Sequence, residues 1–294
     1  MNAKKVDKVV TWIITILSFI VVFILGSFIF YILAKGIKML NFNFITSAPK
    51  TTSSGGGIGP ELFNSFYILI ISLLITVPIG IGAGIYLAEY SKEGPIVRFI
   101  RLSLETMSSL PSIVIGMFGL LVFVNMFGWG YSIIAGALSV SLLNIPSMTR
   151  ISENAIKSAS KRVKEASLGL GATRWQTIVK LVLPIAMSEI LTGIILSAGR
   201  IFGEASAFLY TSGLSTSKLD FTHFSLTGKS SAFSIFRPAE TLAVHIWKLN
   251  SEGLVPDATA IANGTAAVLM IAVILFNLFA RILGNRILKS CKER

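Results

Sequence analysis

The chain has 294 residues, 53% of them hydrophobic and 14% charged, with a mean hydropathy of +0.76. That balance lies far outside the composition of a soluble globular domain and excludes most soluble enzyme classes. The net charge of +12 does not point to nucleic acid, because the basic residues cluster beside the ends of apolar runs, where lipid headgroups account for them, and no basic domain stands apart.

A helix needs about 20 apolar residues to cross a hydrocarbon core about 30 Å thick. Taken in chain order, the runs predict six spans, from about Val9 to Ala34, Leu62 to Leu87, Leu110 to Phe127, Tyr131 to Met148, Pro184 to Tyr210, and Ala258 to Ala280. Only Gly128-Trp129-Gly130 separates the third span from the fourth, which predicts a hairpin with Trp129 and Tyr131 at the interface. The first run is too long for a secretory h-region and lacks a small-residue cleavage pattern after it, so it is expected to stay as an anchor helix.

Orientation follows from the basic residues. Eighteen fall in the N-terminal tail, in 92–101, in 150–180 and in 281–294, against seven in the alternate loops, with Arg200 inside a span. The positive-inside rule predicts both termini in the cytoplasm. The expected organisation is a tail at 1–8, an anchor helix at 9–34, an external loop at 35–61, a transmembrane domain at 62–282 and a tail at 283–294. Within the domain lie a cytoplasmic loop at 150–184 and an external loop at 211–257.

Cysteine and histidine point to little chemistry. Cys291 is the only cysteine, so no intrachain disulfide forms, and it is either an inert or a lipidated thiol. His223 and His245, both in the last external loop, are too few for a metal site without carboxylate help, so no metal is expected. Thr227-Gly228-Lys229-Ser230 looks like the end of a P-loop, but the motif needs a glycine where His223 stands, so no nucleotide site is expected.

The cytoplasmic stretch carries more information. Ile151, Ala155, Ile156, Ala159, Val163, Ala166 and Leu170 form a helical stripe opposed by Glu153, Lys157, Lys161 and Lys164. Gly169 and Gly171 interrupt it, and a second stripe of Trp175, Ile178, Val179 and Val182 leads to Pro184, which suits a helix start. The prediction is helix, turn, helix, either packed on the inner leaflet or docked to a partner.

The external loop is too long for a simple connection. Phe221, Phe224, Phe233 and Phe236, followed by an amphipathic helix from Pro238 to Leu249, predict either a structured cap or a helix lying in the outer leaflet with Trp247 at the interface.

Arg200 and Glu204 lie four apart in the fifth span, where a charge costs about 2.5 to 3.5 kcal/mol on insertion scales. On one helical face they either form a structural ion pair or place a forked donor before an oxyanion. Ser197, Ser206 and Thr211 offer hydroxyls nearby. Gly80 with Gly84, and Gly199 with Gly203, are spaced for close helix approach.

Glu165-Ala166-Ser167, then Gly171, then Leu181-x-Leu183-Pro184 resembles the EAA loop of ABC importer permeases, with every interval kept. Over Gly55 to Ile282 the chain is similar to the phosphate importer permeases, nearer the A-type subunit. The motifs are Gly55-Gly56-Gly57-Ile58-Gly59-Pro60, Tyr86-Leu87-Ala88-Glu89-Tyr90, Leu110-Pro111-Ser112, Ile145-Pro146 with Arg150 and Glu153, Gly199-Arg200 with Gly203-Glu204, and Thr241-Leu242-Ala243-Val244-His245. The family's usual Gly-Glu-Thr-Ala is here Gly203-Glu204-Ala205-Ser206.

The resemblance implies an all-α polytopic fold of the type I ABC importer permease, with six spans, both termini inside and a helix-turn-helix coupling loop. It implies translocation of inorganic phosphate across the plasma (inner) membrane, with no catalytic residue and no cofactor in this chain. ATP and Mg belong to a partner ATPase. Implied partners are a second, homologous permease forming a heterodimer, two ATPase copies, an external phosphate-binding protein and the lipid bilayer, with no nucleic acid. Glu165, Ala166, Ser167, Gly171, Leu183 and Pro184 are the implied coupling residues; Arg200, Glu204, Ser197, Ser206 and Thr211 are the candidate pathway residues. Alternatives are a permease of this fold for molybdate, sulfate or an amino acid, and an ATPase-independent channel or scaffold.

Overall fold

Lipid offers no partner for backbone N–H and C=O groups, so long apolar runs satisfy them internally as helices. A computed structural model describes residues 3–50, 53–216, 219–228, 231–253 and 255–292, with side chains for all of these except 162, 283, 285 and 287–292. Lys218, Lys229, Ser230 and Arg294, and the side chains of Arg162, Lys289, Cys291 and Lys292, therefore lie outside the described residues. The described residues contain helices and no strand, apart from an isolated bridge between Asp220 and Ser231.

Four helical segments are long and apolar enough to cross a membrane: Ala3–Met39, Gly59–Tyr90, Arg174–Gly203 and Ala258–Ile282. A fifth is added if α4 (Pro95–Ser109) and the helical segment Ser112–Met126, bent by 99°, count as one. The expected third span is thus shorter than predicted; it is α5 (Ser112–Gly119), extended by a π-helical turn over Leu120–Met126. Residues 95–109, outside every predicted span, form the amphipathic helix α4, with Ile96, Phe99 and Leu102 exposed.

The expected fourth span is the first half of a single rod. α6 (Ile133–Gly169) runs 37 residues, about 55 Å, capped by Ser132 and passing through Pro146 without ending. Buried Ser139, Ser141, Asn144 and Thr149, together with the basic second half, make it less apolar than the other spans. It is nevertheless central, since Ile133, Ala135, Ala137, Val140, Leu143 and Met148 are all fully buried.

α3 (Gly59–Ile85) packs along this rod. A Cβ at Gly80 would lie 2.6 Å from Met148 Cγ, and one at Gly84 would lie 2.5 Å from Ser152 Cβ, so the expected close approach is present at this pair. α8 (Leu183–Gly203) and α9 (Ser206–Thr211) complete the bundle around Ile68, Leu69, Ile133, Val140, Ile201, Phe202 and Phe208. α1 (Ala3–Gly36) is exposed along most of its length and docks by its end, where Gly36 admits Asn263 and Ala267 of α11 (Ala258–Lys292), and the short α2 (Phe42–Thr46) follows.

The turn between α5 and α6 uses Gly128 and Gly130 at φ of 70° and 67°, which closes the predicted hairpin. The loop after α9 is a structured cap. Phe63 of α3 meets Phe221 and Phe233 edge-on at 5.2 and 5.9 Å, while Phe236 packs on Trp129 at 6.0 Å. The amphipathic helix begins later than predicted, at Leu242, where Thr241 supplies a side-chain cap, and it ends before Gly253. This α10 (Leu242–Glu252) buries Leu242, Val244, His245 and Leu249 in protein, while Trp247 on its other face stays exposed.

Arg237 holds the cap together. It is 1% exposed, and its guanidinium donates to the carbonyl of Ala232 through Nε (3.0 Å) and Nη2 (2.8 Å), to that of Pro238 at 3.3 Å and to Asn64 Oδ1 at 2.8 Å. Burial pushes its pKa down to about 10, with Tyr67 acting in the opposite sense, so it stays charged near neutral pH. Asn64 in turn donates to the carbonyl of Glu240, and Ser65 Oγ accepts from Leu242 N. Replacing Arg237 with Met leaves these acceptors without a donor. It is expected to lower stability by about 3 kcal/mol in thermal unfolding in detergent. Arg237→Lys is expected to recover less than half of that, because an ammonium lacks the forked geometry.

Candidate functional site

α6 ends at Gly169, and the chain reverses over Leu170–Ala172. Gly171 takes φ of +83°, a region costly for side chains with a Cβ, and its N–H donates to the carbonyl of Leu168. Gly169 stays within the helix, so a single glycine makes the break. The next helix starts at once: Thr173 and Gln176 exchange side-chain bonds with each other's backbone N–H in a capping box.

α7 (Arg174–Thr177), a π-helical turn at Ile178–Val182 and α8 then form one helical run to Gly203. Pro184 therefore does not start a helix, as its sequence context suggested; it sits inside this run, just after the π-helical turn. The stronger start signal was Thr173 with Gln176.

The two arms of the turn are tied by Ser167 Oγ and Thr177 Oγ1, 2.8 Å apart and buried. Ser167 thus faces the second arm, whereas Glu165, Ala166 and Gly171 are exposed. Leu183 packs against the core made by Met148, Ile156, Val182 and Ile190. The tip presents apolar side chains, with Leu170 90% and Trp175 61% exposed. Behind it, Lys164 Nζ lies 2.6 Å from the buried Glu89 carboxylate in the π-helical turn Tyr86–Tyr90 that continues α3. Glu153 on α6 is held by Arg101 of α4 (2.8 Å) and Lys157 (2.7 Å).

The second candidate cluster does not assemble as predicted. α8 ends at Gly203 and Glu204 is extended, with its Oε1 accepting from Ala207 N at 3.1 Å and so capping α9. The predicted Arg200–Glu204 pair is absent among the described residues, because that break takes Glu204 off the helical face it was expected to share with Arg200. Ser197 and Thr211 are buried, with Thr211 Oγ1 bonded to the carbonyl of Ala207, and Ser206 is half-buried. They do not gather around Arg200. Arg200 is exposed on a face that includes exposed Leu196 and Gly203, and Gly199 and Gly203 meet nothing within 4 Å. Among the described residues, nothing packs on this second glycine pair.

Residues 80–290 match the family described as "Binding-protein-dependent transport system inner membrane component". The chain belongs to that family. Among curated proteins, this family member is 52% identical to the probable ABC transporter permease protein YqgI of Bacillus subtilis (strain 168), over 99% of both chains. It is 30% identical to the phosphate transport system permease protein PstA of Haemophilus influenzae, over 86% of this chain and 85% of that one.

Among solved structures, a bacterial ABC transporter involved in alginate import superposes with a TM-score of 0.65 at 14% identity, covering 97% of each chain. The MetNI methionine ABC transporter in an inward-facing conformation gives 0.56 at 17%, covering 78% of this chain and 93% of that one. At such identities these two speak to the fold, which is that of ABC importer permeases.

Two features of this family member escaped the sequence reading. Arg237 looked like one more loop cation, and His245 like an ordinary polar residue; only the tertiary fold brings each to the first turns of α3. The capping of Thr241 before His245 was a usable local signal for the second.

At Gly171 a Cβ meets nothing within 4 Å, so a substitution there acts through backbone conformation alone. Gly171→Val is expected to cost about 1 to 2 kcal/mol at the turn. Limited proteolysis between 165 and 175 should accelerate, with Gly171→Asn intermediate.

Proposed function

We propose that this chain is one permease half of an ATP-driven importer of inorganic phosphate in the plasma membrane. In this reading it crosses the bilayer six times with both termini in the cytoplasm. A second, homologous permease completes the path, two ATPase copies dock beneath, and an external phosphate-binding protein delivers the anion. ATP and Mg are bound by the ATPase, and this chain catalyses nothing itself.

Arg200 carries the substrate reading. A guanidinium within a crossing helix, without an anionic partner among the described residues, is too costly to face lipid and is read here as facing a second subunit or an aqueous path. Its planar fork suits a tetrahedral oxyanion through paired hydrogen bonds. The PstA relatives of about 30% identity, and the motif set around Arg200, favour phosphate among oxyanions.

The turn at 170–173 supports docking. Exposed Leu170 and Trp175 form an apolar knob that water solvates poorly, at the end of a rod braced by Lys164 and Glu153. Closure of a partner against this knob would pass to the spans as a rigid-body movement. Glu165, Ala166 and Gly171 sit on the docking side in this reading, while Leu183 and Pro184 open α8 behind the knob. A second reading keeps the mechanism and changes the cargo, since the relative at 52% identity names no substrate.

Uptake of labelled phosphate by the reconstituted complex tests both. Uptake is expected to need ATP and to resist competition by molybdate and sulfate. Arg200→Gln should lower it at least about tenfold, the scale of 1.4 kcal/mol or more in anion binding, with ATPase association intact. Leu170→Asp should reduce co-purification of the ATPase. Normal uptake by Arg200→Gln would remove the assignment, ATP-independent flux would favour a channel, and equal competition by sulfate would move the cargo.

A further inference from the structure

At the end of α3 remote from the 170–173 turn, three buried side chains converge from distant segments. They are Glu61 in the first turn of α3, Glu240 before α10 and His245 within α10, and one donor atom from each lies within 4.8 Å of the others. Glu61 is fully buried, Glu240 is 1% exposed and His245 is 4% exposed.

Their hydrogen bonds leave a specific remainder. Glu240 Oε1 lies 2.7 Å from His245 Nδ1, and Glu240 Oε2 accepts from Lys248 Nζ at 3.1 Å. Glu61 Oε1 accepts from Thr216 Oγ1 at 3.0 Å. Glu61 Oε2 and His245 Nε2 have no partner among the described residues. An orphaned buried polar atom is costly, and two in one cluster suit a shared occupant.

With Glu240 accepting from Nδ1–H, the neutral imidazole presents a lone pair at Nε2. A carboxylate that orients the ring through its other nitrogen is the usual support of a metal-bound histidine. A cavity of about 210 Å³ lined by Thr216, Glu240, His245 and Lys248 adjoins the cluster on the His245 side and has room for water; Glu61 is not part of its lining.

We propose that these residues bind one divalent transition-metal ion of the zinc class. His245 Nε2 and Glu61 Oε2 are the ligands, Glu240 orients the ring, and cavity water completes the shell. The imidazole selects against magnesium and calcium, which prefer all-oxygen shells. Two carboxyl groups face the ring, and the cavity beside them carries Lys50 and Lys248 against Glu240 and Glu252. Lys248 opposes the ion and keeps its affinity moderate. The bound ion ties the start of α3 to α10.

The test uses the full chain, tag removed, in nanodiscs and stripped with EDTA, titrated with Co²⁺ and then Zn²⁺. One Co²⁺ per chain is expected at sub-millimolar concentration, with visible d–d bands that Zn²⁺ abolishes. His245→Gln and Glu61→Gln should each weaken binding at least about tenfold, His223→Gln should leave it unchanged, and Lys248→Met should tighten it. If His245→Gln fails to fold, the wild-type spectrum and Glu61→Gln decide. Three results would overturn the site: no Co²⁺ bound by the folded wild type, binding indifferent to both ligand variants, or thermal stability that responds to protons and not to metal.

Discussion

The contact of α3 with α6 at Gly80 and Gly84 is the constraint on which the rest of the structure depends. Without Cβ atoms there, Met148 and Ser152 approach closely enough for one rod to run from the far end of the bundle to the 170–173 turn. Hydrophobic driving force between helices is weak in lipid, so close packing of this kind carries much of the association. The rod's length then sets how far the Leu170 knob stands from the core, and the ion pairs at Glu89 and Glu153 keep it from swinging. These pairs join three elements, so their effect is geometric more than energetic; partly exposed ion pairs contribute little each.

The other end is organised by polar groups buried in protein. Arg237 satisfies its charge with carbonyl and amide oxygens, and Asn64, Ser65 and Glu240 connect it to α3 and α10. A network of this kind is costly when incomplete and rigid when complete. It fixes the cap directly above the first turns of α3, where Glu61 and His245 lie. Rigid attachment at both ends makes α3 a link between cap and turn.

The parts legible in the sequence were those governed by local or periodic rules. The apolar runs, the hairpin at Gly128 and Gly130, the reversal at Gly171 and the close pair Gly80–Gly84 follow from length, positive φ and spacing. Boundaries were less legible where one helix runs through a proline. Pro146 and Pro184 look like starts or stops, yet both lie within helical runs, the second directly after a π-helical turn. The Arg200–Glu204 pairing assumed an unbroken helix, and the break at Glu204 removed it. Arg237 and the Glu61–His245 convergence were illegible because partners 173 and more residues away bring no periodic signal.

The bare flank of α8 has a consequence for biogenesis. If the proposed second permease covers Arg200 and the glycines Gly199 and Gly203 beside it, a solitary copy would hold that cation against acyl chains. Such an orphan is less firmly retained in the bilayer than an assembled one, by about the 2.5 to 3.5 kcal/mol that the unshielded charge costs. In the proposed assembly, solvation of this one flank would favour paired copies over solitary ones.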